Sequence, residues 1–546
     1  MKKSILYKIA AVLLSLMIAA AMIPAAFALD ESESGYDTDG ATKFTFTDSG
    51  IDAVKGDYDG YKIKGSDLTI NSAGVYILSG TSSDGSVTVK KGTTGVVLIL
   101  AGLNLTSADS APIACNKSSE VTVVAAAGSK NTLTDTEKNN GDNYPDNENA
   151  ENAVIKCKDG SKVTLCGTGE LTVNALGKNG IKSGASTEED GEACLYIKEL
   201  TLTINAGVND AVNAEALLNI YSGSITIDAG DDALHCDYIM NVGGEGTAGP
   251  AIKVNSCCEG LEAAELNIYS GNITIYSEDD CINAANSDLS DYGFSLSIYG
   301  GTLYMESSSG DGIDSNGTLT ISGGSTTVWT ANTADNQPLD ADGKITISGG
   351  TVLAAGGSSG MGMNIEATQP FVVFGNTGMG GGMGQGAQSG TPGEPPTGGA
   401  GQDGQSGTPG EPPTGGGMGQ GSVLLNADSA FEIRDSSGST VYSGTAPYNA
   451  SFIFYSSPDL SEGSEYTLYS GGVSAAAASA GYTVANNSGN APSKPNDDGT
   501  NTEETNPQTG DSIYPIIFAA VFVALGGGAA AAAVIIVRKR SRRRES

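Results

Sequence analysis

The sequence is poor in basic and aromatic residues. Of its 546 residues, 28 are Lys or Arg against 63 Asp or Glu, and there is one histidine and one tryptophan. With a formal net charge of −35, the chain has little that could neutralise phosphate groups, so nucleic acid is not expected as a partner. A single histidine also cannot complete a Cys/His zinc site.

Cysteine is sparse and lacks a metal-binding spacing. Disulfides would be permitted in an exported protein with an even number of cysteines, and one or two bridges stay open. We expect most of the cysteines to be small buried residues. No two of them form a C-x-x-C pair, and the eight lie at positions 115, 157, 166, 194, 236, 257, 258 and 281.

Apolar segments occur at both ends of the chain. Residues 1–28 combine three lysines, an apolar stretch and the small-residue site Ala26-Phe27-Ala28, which is the pattern of a secretory signal peptide. Residues 513–537 form an apolar run long enough to span a bilayer as a helix, and six basic residues follow it. We therefore predict export, with the C-terminal helix holding the chain in the membrane before sorting.

A short motif precedes the second apolar run. Asn506-Pro507-Gln508-Thr509-Gly510, together with that run and the basic tail, resembles a sortase sorting signal of Gram-positive bacteria. The resemblance implies cleavage between Thr509 and Gly510, and linkage of Thr509 to peptidoglycan. Asn506 stands where the commonest pattern has Leu. The expected location is extracellular, anchored to the cell wall.

The mature chain is still more acidic. Without residues 1–28 and 510–546 it keeps 19 Lys and Arg against 61 Asp and Glu, a net charge of about −42. Such a compact chain would repel itself unless cations bind to it, or unless its acidic groups form a solvated coat.

A repeat of 22–26 residues dominates the middle of the chain. Examples are "LNIYSGSITIDAGDDALHCD" from Leu218, "LNIYSGNITIYSEDDCINAA" from Leu266 and "LSIYGGTLYMESSSGDGIDSNG" from Leu296. The step from Asp232 to Asp280 is longer than one repeat, and we interpret residues 240–264 between them as an insertion. Each unit alternates apolar and polar residues in two short strands, shows no helical period, and is too short to be a propeller blade. Because one unit cannot bury its apolar face alone, the units must stack. An all-β fold with a single-stranded parallel β-helix over residues 65–370 is predicted, with a β-sandwich as the alternative.

Composition divides the rest of the chain. Residues 29–64 precede the repeats as a leader or cap, and residues 371–420 form a Gly/Pro/Met-rich flexible loop. Residues 421–472 contain four short strands of a small C-terminal β module that caps the solenoid. A polar wall-spanning spacer is expected over residues 473–505, before the sorting signal of residues 506–546.

The acidic turns recur with the repeat, so they are not a single catalytic dyad. Stacked units place equivalent positions about 4.8 Å apart, where two carboxylates repel by roughly 3–4 kcal/mol at an effective dielectric constant near 20. Such groups either splay into solvent or bind hard cations, and oxygen-only ligands suit calcium. His235 replaces Asn or Asp in its unit and is expected to be a non-catalytic surface side chain. The predicted calcium ligands are Asp210, Asp231, Asp232, Asp279, Asp280, Asn283, Asp311, Asp314, Asp335 and Asp340.

Aromatic residues form a second recurring set. Tyr221, Tyr269 and Tyr299 occupy one position in three units, while a second group shares one sheet. Exposed aromatic rings can stack on sugar rings, although tyrosine is also favoured as an ordinary strand residue. The second predicted glycan-binding group is Tyr276, Tyr304 and Trp329.

Several stretches resemble a known family. "AGVYILSGTSSDGSVTVKKG", "NAVIKCKDGSKVTLCGTGELTVNALGKNGIKSG" and the later "GDGIDSNGTLTISGG" units are similar to bacterial carbohydrate-binding surface proteins, over about residues 65–472. The resemblance implies a right-handed parallel β-helix akin to pectate lyases, bound calcium, and cellulose or acidic pectin as ligand. The turn of the family fails at Lys182, where calcium is not expected. The acidic turn of the family carries over to Asp210, Asp232, Asp280, Asp311 and Asp314.

The sequence therefore predicts a non-catalytic, calcium-dependent polysaccharide-binding protein. A polysaccharide lyase is one alternative, but β-elimination needs a base beside calcium. Arg434 lies outside the solenoid, which leaves Lys182, Lys253 and Lys344. A hydrolase would need one unique carboxylate pair, whereas the pairs here are generic. A structural adhesin that binds a protein partner is the other alternative.

Overall fold

The structure, a computed structural model, describes residues 36–289, 292–331, 336–357, 365–375 and 423–483. Every regular element in these residues is a β-strand, and none of them belongs to a helix that could cross a membrane. The predicted signal peptide, the sorting signal with Thr509 and Gly510, and the predicted helix at residues 513–537 lie outside the described residues.

The described part contains 38 strands. The first half comprises β1 (Thr42–Thr47), β2 (Gly50–Val54), β3 (Tyr61–Lys64), β4 (Asp67–Ile70), β5 (Gly74–Ser82), β6 (Ser86–Val89), β7 (Val96–Thr106), β8 (Ile113–Cys115), β9 (Glu120–Ala125), β10 (Lys130–Thr134), β11 (Ala153–Cys157), β12 (Lys162–Cys166), β13 (Glu170–Asn174), β14 (Asn179–Ser183), β15 (Cys194–Ile197), β16 (Thr201–Ala206), β17 (Val212–Ala214), β18 (Leu217–Ile220) and β19 (Ser224–Ala229). The second half comprises β20 (Leu234–Val242), β21 (Ala251–Ser256), β22 (Leu261–Ile268), β23 (Asn272–Ser277), β24 (Ile282–Ala284), β25 (Ser295–Ile298), β26 (Thr302–Ser307), β27 (Ile313–Ser315), β28 (Thr318–Ile321), β29 (Ser325–Thr330), β30 (Ile345–Ile347), β31 (Thr351–Gly356), β32 (Ile365–Ala367), β33 (Phe371–Gly375), β34 (Ala430–Asp435), β35 (Thr440–Thr445), β36 (Phe452–Ser456), β37 (Glu465–Ser470) and β38 (Val473–Ser479).

Alternation along each strand decides which side chains enter the core. In β16, Leu202, Ile204 and Ala206 are buried, while the threonines and asparagine between them point outward. Successive side chains of a strand point to opposite faces, so this sequence can bury only one face. The all-β prediction is confirmed for the described residues.

Three ladders of parallel strands stack one repeat on the next. The first ladder runs β5, β7, β9, β12, β15, β18, β20, β22, β25, β28, β30 and β32. The second runs β7, β10, β13, β16, β19, β21, β23, β26, β29 and β31. The third runs β4, β6, β8, β11, β14, β17, β20, β22, β24 and β27.

One apolar core contains buried residues from all three ladders. A single in-register row illustrates it, because each member contacts the next repeat and all are at most 2% exposed. The row consists of Leu218, Met240, Leu266, Leu296, Leu319 and Ile345. Each unit is therefore stabilised by its neighbours, as the repeat predicted.

The long segment between Asp232 and Asp280 is itself a repeat. The sequence suggested an insertion at this place, but β21 pairs in parallel with both β19 and β23, and Ile252 lies between Ile225 and Ile273. The start of β22 then joins the third ladder. The insertion interpretation was wrong because this unit lacks the Leu-x-Ile-Tyr motif by which the others were aligned.

The C-terminal strands close the core. β36 pairs antiparallel with both β31 and β33, and a separate sheet has the order β35-β34-β37-β38.

Two predicted domain boundaries differ from the structure. Phe371–Gly375, assigned to the flexible loop, forms β33, and Val473–Ser479, assigned to the spacer, forms β38. Residues 376–422 lie outside the described residues.

The cysteines are small core residues, as expected. All eight are unpaired thiols, and only Cys258 is half-buried while the others are buried. Burial, with Asp231 and Asp279 nearby, raises the pKa of Cys258 to about 11, which leaves little reactive thiolate at neutral pH.

We predict that an aromatic disulfide reagent will modify one thiol slowly in the native protein and eight after unfolding in denaturant. The number of thiols titrated, with mass spectrometry to locate the native one at Cys258, checks this. Fewer than eight thiols in the unfolded, unreduced protein would show that disulfides form and would contradict the structure.

Candidate functional site

Acidic residues stack at the turn that leads into the third ladder. The backbone N–H of Ala211 donates to the carbonyl of Asp232 at 2.9 Å, and the N–H of Gly260 donates to that of Asp280 at 2.9 Å. The same bond recurs from repeat to repeat, so these residues form one row, which we call the acidic column. It consists of Asp210, Asp232, Glu259, Asp280 and Asp311, and Gln337 ends it.

A second row lies three residues further along the chain, on the outer face of the third ladder. Because the register is continuous, each side chain has the equivalent side chain of the next repeat as its neighbour. We call this row the outer column. It consists of Lys182, Asn213, His235, Glu262, Asn283 and Asp314.

Side chains of the acidic column bond from one repeat to the next. The N–H of Asp232 donates to Asp210 Oδ1 at 3.3 Å, and the N–H of Asp311 donates to Asp280 Oδ1 at 2.6 Å. The N–H of Gln337 donates to Asp311 Oδ1, also at 2.6 Å. Each of these carboxylates thus accepts a backbone hydrogen bond from the next repeat.

The column concentrates negative charge where water is largely excluded. Burial raises the pKa of Asp232, Asp280 and Asp311 to about 7, and that of Glu259 to about 8. Neighbouring carboxylates raise these pKa values further, since a like charge disfavours ionisation. Asp210, Asp314 and Asp340 have raised pKa values for the same reason. The row therefore favours either bound protons or bound cations.

The donor groups fit a cation. In two clusters the carboxylate oxygens lie within 4.8 Å of one another, namely Asp210/Asp231/Asp232 and Asp311/Asp314/Asp340. Asn283 Oδ1 is buried without a hydrogen-bond partner among the described residues, so it is an acceptor still available to a cation. Oxygen donors of this kind are the ligands that hard cations prefer.

Most of the predicted ligands belong to this region. Asp231 and Asp279 immediately precede acidic-column residues and are exposed. Asn283 donates to Glu259 Oε2 at 3.2 Å, and Asp340 accepts from Gln337 Nε2 at 3.0 Å. Asp335 lies outside the described residues.

Sequence reasoning missed Glu259 and Glu262. They occupy the acidic and outer columns in the repeat that had been interpreted as an insertion. The signal was present, since Glu259-Gly260-Leu261-Glu262 has the spacing of Asp232-Ala-Leu-His235, although both acidic residues are Glu and not the Asp or Asn of the other repeats.

His235 was expected to be a surface side chain, and this was wrong. Its side chain is 19% exposed and lies among three carboxylates, those of Asp232, Asp237 and Glu262. Although burial alone would lower its pKa, hydrogen bonds to these groups raise the pKa of His235 well above its ordinary value.

The tyrosines form two stacked pairs near the ends of the first-ladder strands: Tyr221, Tyr269 and Tyr299 each directly follow a strand, and Tyr196 lies within β15. Tyr269 and Tyr299 stack with ring centroids 5.0 Å apart, and Tyr196 stacks on Tyr221 at 6.1 Å. Tyr221 is 46% and Tyr299 47% exposed. Gly243 occupies the equivalent position between the pairs, as the N–H bonds of Gly243 and Tyr269 to successive strand ends indicate. We call these four rings the tyrosine row; Tyr196 had not been predicted.

The second aromatic group is only partly accessible. Tyr276 is 38% exposed and contacts Tyr304 edge-on, and the hydroxyl of Tyr304 donates to Glu306. Trp329 is 1% exposed and packs on Phe431 at 5.7 Å. The expectation that Trp329 faces a ligand is wrong, because the C-terminal module covers it.

A family model described as "Carbohydrate-binding domain-containing protein" matches residues 64–360, more than half of the chain. The chain belongs to this family. A protein of the same description from Acetivibrio thermocellus is 38% identical over 124 residues, which are 22% of this chain and 42% of that protein. The match therefore spans less than half of the relative's length.

One solved structure is also similar to this carbohydrate-binding domain protein. It is described as a polysaccharide lyase-like protein from C. thermocellum, in a gadolinium derivative, with 25% sequence identity and a TM-score of 0.36. The match covers 52% of this chain and 97% of that one. The resemblance to carbohydrate-binding proteins is confirmed at the level of the family.

Proposed function

We propose that this protein binds polysaccharide at the bacterial cell surface, with calcium holding its acidic column together and without catalysing a reaction. The proposal rests chiefly on one observation, the exposed tyrosine row on a chain whose residues 64–360 match a carbohydrate-binding family. Its location follows from the predicted signal peptide and sorting motif, with Thr509 linked to peptidoglycan.

The strand pairing supports a single-stranded parallel β-helix, and the right-handed form is the one that the family resemblance implies. From β10 to β17 each strand pairs in parallel with the third strand after it, which is the pattern of a chain that makes three strands in each coil. In such a solenoid the tyrosine row and the acidic column would both run parallel to the axis, each at a different corner of the coil.

Calcium is the cation proposed for the oxygen-only clusters. Asp210/Asp231/Asp232 and Asp311/Asp314/Asp340 would each hold it through carboxylate oxygens, and Asn283 Oδ1 would add an amide oxygen near Glu259. Bound calcium would supply the positive charge that these repelling carboxylates need.

The tyrosine row would bind an extended glycan. The stacked rings keep part of their flat, partly apolar surface in water. A sugar chain that runs parallel to the tyrosine row could therefore contact both pairs. Cellulose and pectin-like glycans are the ligands that the resemblance suggests.

A lyase is less well supported by the placement of its candidate bases. Lys182 is the only one of the three beside the acidic residues, but its amino group donates to Asn213 Oδ1 at 2.9 Å and lies near Glu215. Lys253 lies on the second ladder, and Lys344 is paired with Glu366. An amine held in this way is poorly suited to abstract a proton.

A sedimentation experiment tests the proposal. The purified protein is mixed with insoluble cellulose or insoluble calcium-free polygalacturonic acid in the presence of calcium or of EDTA, and bound protein is measured in the pellet. Calcium-dependent binding supports the proposal, whereas binding to neither polymer would favour the adhesin alternative. Release of unsaturated uronides, followed by near-ultraviolet absorbance, would establish a lyase instead.

A further inference from the structure

The only histidine of the chain lies where two neighbouring repeats meet. The imidazole Nδ1 of His235 is 3.0 Å from Asp232 Oδ2 and 2.5 Å from Glu262 Oε2, while Nε2 is 3.0 Å from Asp237 Oδ1. The ladder sets this position, since His235 pairs directly with Glu262, and Asp232 lies three residues before His235 in the same repeat. This cluster shares Asp232 with the Asp210/Asp231/Asp232 cluster and has no residue in common with Asp311/Asp314/Asp340.

A simple ion pair does not account for this arrangement. One N–H group can donate well to one acceptor, yet two carboxylate oxygens converge on Nδ1. An imidazolium carries one positive charge against three carboxylates, so a net negative charge remains in a place that is largely shielded from water. Three ligand atoms thus converge on one point with more negative charge than the ring can balance.

The second ring nitrogen is oriented as in a metal-bound histidine. When Nε2–H donates to Asp237 Oδ1, the neutral ring turns the lone pair of Nδ1 toward Asp232 and Glu262. A carboxylate behind a histidine is the usual partner that fixes the tautomer and orientation of a metal-ligating imidazole. Asp237 follows two residues after His235 in the same strand, so it is built into the cluster.

Neighbouring repeats show what is special at this position. In the repeat before, Asn213 donates to Asp210 Oδ2 at 2.6 Å, and two repeats later Asn283 donates to Glu259 Oε2 at 3.2 Å. Those positions offer only oxygen ligands, which suit hard ions. In the outer column only His235 carries an imidazole, and imidazole with carboxylate favours first-row transition metals.

We propose that Asp232, His235 and Glu262 form a binding site for a divalent transition metal of the zinc class, with Asp237 as the residue that positions His235. Their side chains are 12%, 19% and 17% exposed, so the site is shielded but still reachable from solvent. The site is independent of the proposed glycan binding, because it lies on the third ladder and the tyrosine row follows the first.

Cobalt(II) provides a direct probe of the site. The full purified protein, first stripped with chelator, is titrated with Co²⁺ in excess calcium, and visible d–d absorption together with the imidazole NMR signals of the single histidine is recorded. We expect one Co²⁺ to bind with a visible band, to perturb the imidazole signals, and to be displaced by Zn²⁺ but not by calcium.

Three variants make the test specific. His235→Asn restores the residue found at Asn213 and Asn283, keeps a donor toward Asp232, and should abolish the band while the melting temperature with calcium stays near that of the parent. Glu262→Gln should also lose the band. Asp237→Asn should weaken Co²⁺ binding about 10–100-fold, the usual effect of losing such a partner.

Two results would overturn the proposal. One is the absence of a Co²⁺ band with an imidazole signal that does not respond to the metal, which would mean that the imidazolium itself is the cation of the cluster. The other is a band that persists unchanged in His235→Asn. Glycan sedimentation of the same samples is a separate readout, so failure of the metal site can be told apart from failure of the proposed function.

Discussion

Raising the pH from 5 to 9 should destabilise the calcium-free protein by roughly 3–5 kcal/mol, an effect discounted for the partial exposure of the groups involved. The pKa values of Asp232, Asp280 and Asp311 are raised to about 7 and that of Glu259 to about 8, whereas the unfolded chain should titrate near the ordinary values of about 4. Between those limits the folded state binds more protons than the unfolded state. The free energy of unfolding therefore falls as pH rises through this window, and the stabilisation is complete only below about pH 4.

Denaturant unfolding at several pH values, in EDTA and in saturating calcium, measures this effect. Calcium should remove most of the pH dependence, because bound cations replace the protons. Trp329 is a suitable reporter, since it is the single tryptophan and is buried against Phe431. A stability that is flat with pH in EDTA, or unchanged by calcium, would contradict the acidic column as a cation site.

A pair of substitutions locates the origin of the effect. Asp280→Asn keeps an oxygen that can accept from the N–H of Asp311 but removes one buried charge, so its unfolding free energy in EDTA should fall less steeply with pH. Glu278→Gln removes the same charge from an exposed side chain in the same turn and should leave the slope unchanged. Equal slopes in the two variants would mean that general surface charge, and not the column, causes the pH dependence.

Replacing Tyr269 and Tyr299 together with alanine should lower polysaccharide affinity about 100-fold. Each stacked ring should contribute on the order of 1–1.5 kcal/mol, close to a factor of ten in affinity. The two rings form one stack, so the effects of single replacements need not add. Affinity electrophoresis or sedimentation with the polymer identified in the binding experiment measures the change.

Matched variants separate stacking from folding and from general aromatic exposure. Tyr269→Phe with Tyr299→Phe keeps both rings and should retain most of the affinity. Tyr276→Ala removes a ring that is 38% exposed but lies on the second ladder, away from the tyrosine row, and should bind like the parent. If the double alanine variant keeps its melting temperature and its full affinity, the tyrosine row is not the glycan site.

Much of the architecture could be predicted because each repeat contains the local pattern that determines its strands. Alternation in segments such as Thr201–Ala206 depends on neighbouring residues only, so strands and their inward faces are readable directly. Likewise, equal spacing of Asp210, Asp232 and Asp280 relative to their strands suffices to place them at one turn. The repeat containing Glu259 escaped notice because its strands lack the shared motif, although its register in the ladders is regular.

Other features depend on contacts between distant parts of the chain. Trp329 follows the alternation of an outward side chain, but Phe431, about one hundred residues later, packs on it and excludes solvent. The boundaries at β33 and β38 were missed for the same reason, since both strands are completed by partners elsewhere in the C-terminal part. Such pairing between distant strands cannot be predicted from local composition.

By itself, the sequence determined that this protein is a stack of β units with acidic residues and tyrosines at fixed turns, because a period of about 22–26 residues must bury one face and repeat the others. Tertiary structure alone decided which of these side chains share a site. It brought Glu262 beside His235, stacked Tyr196 on Tyr221 and covered Trp329, because these contacts depend on the exact register between repeats and on the packing of the C-terminal strands.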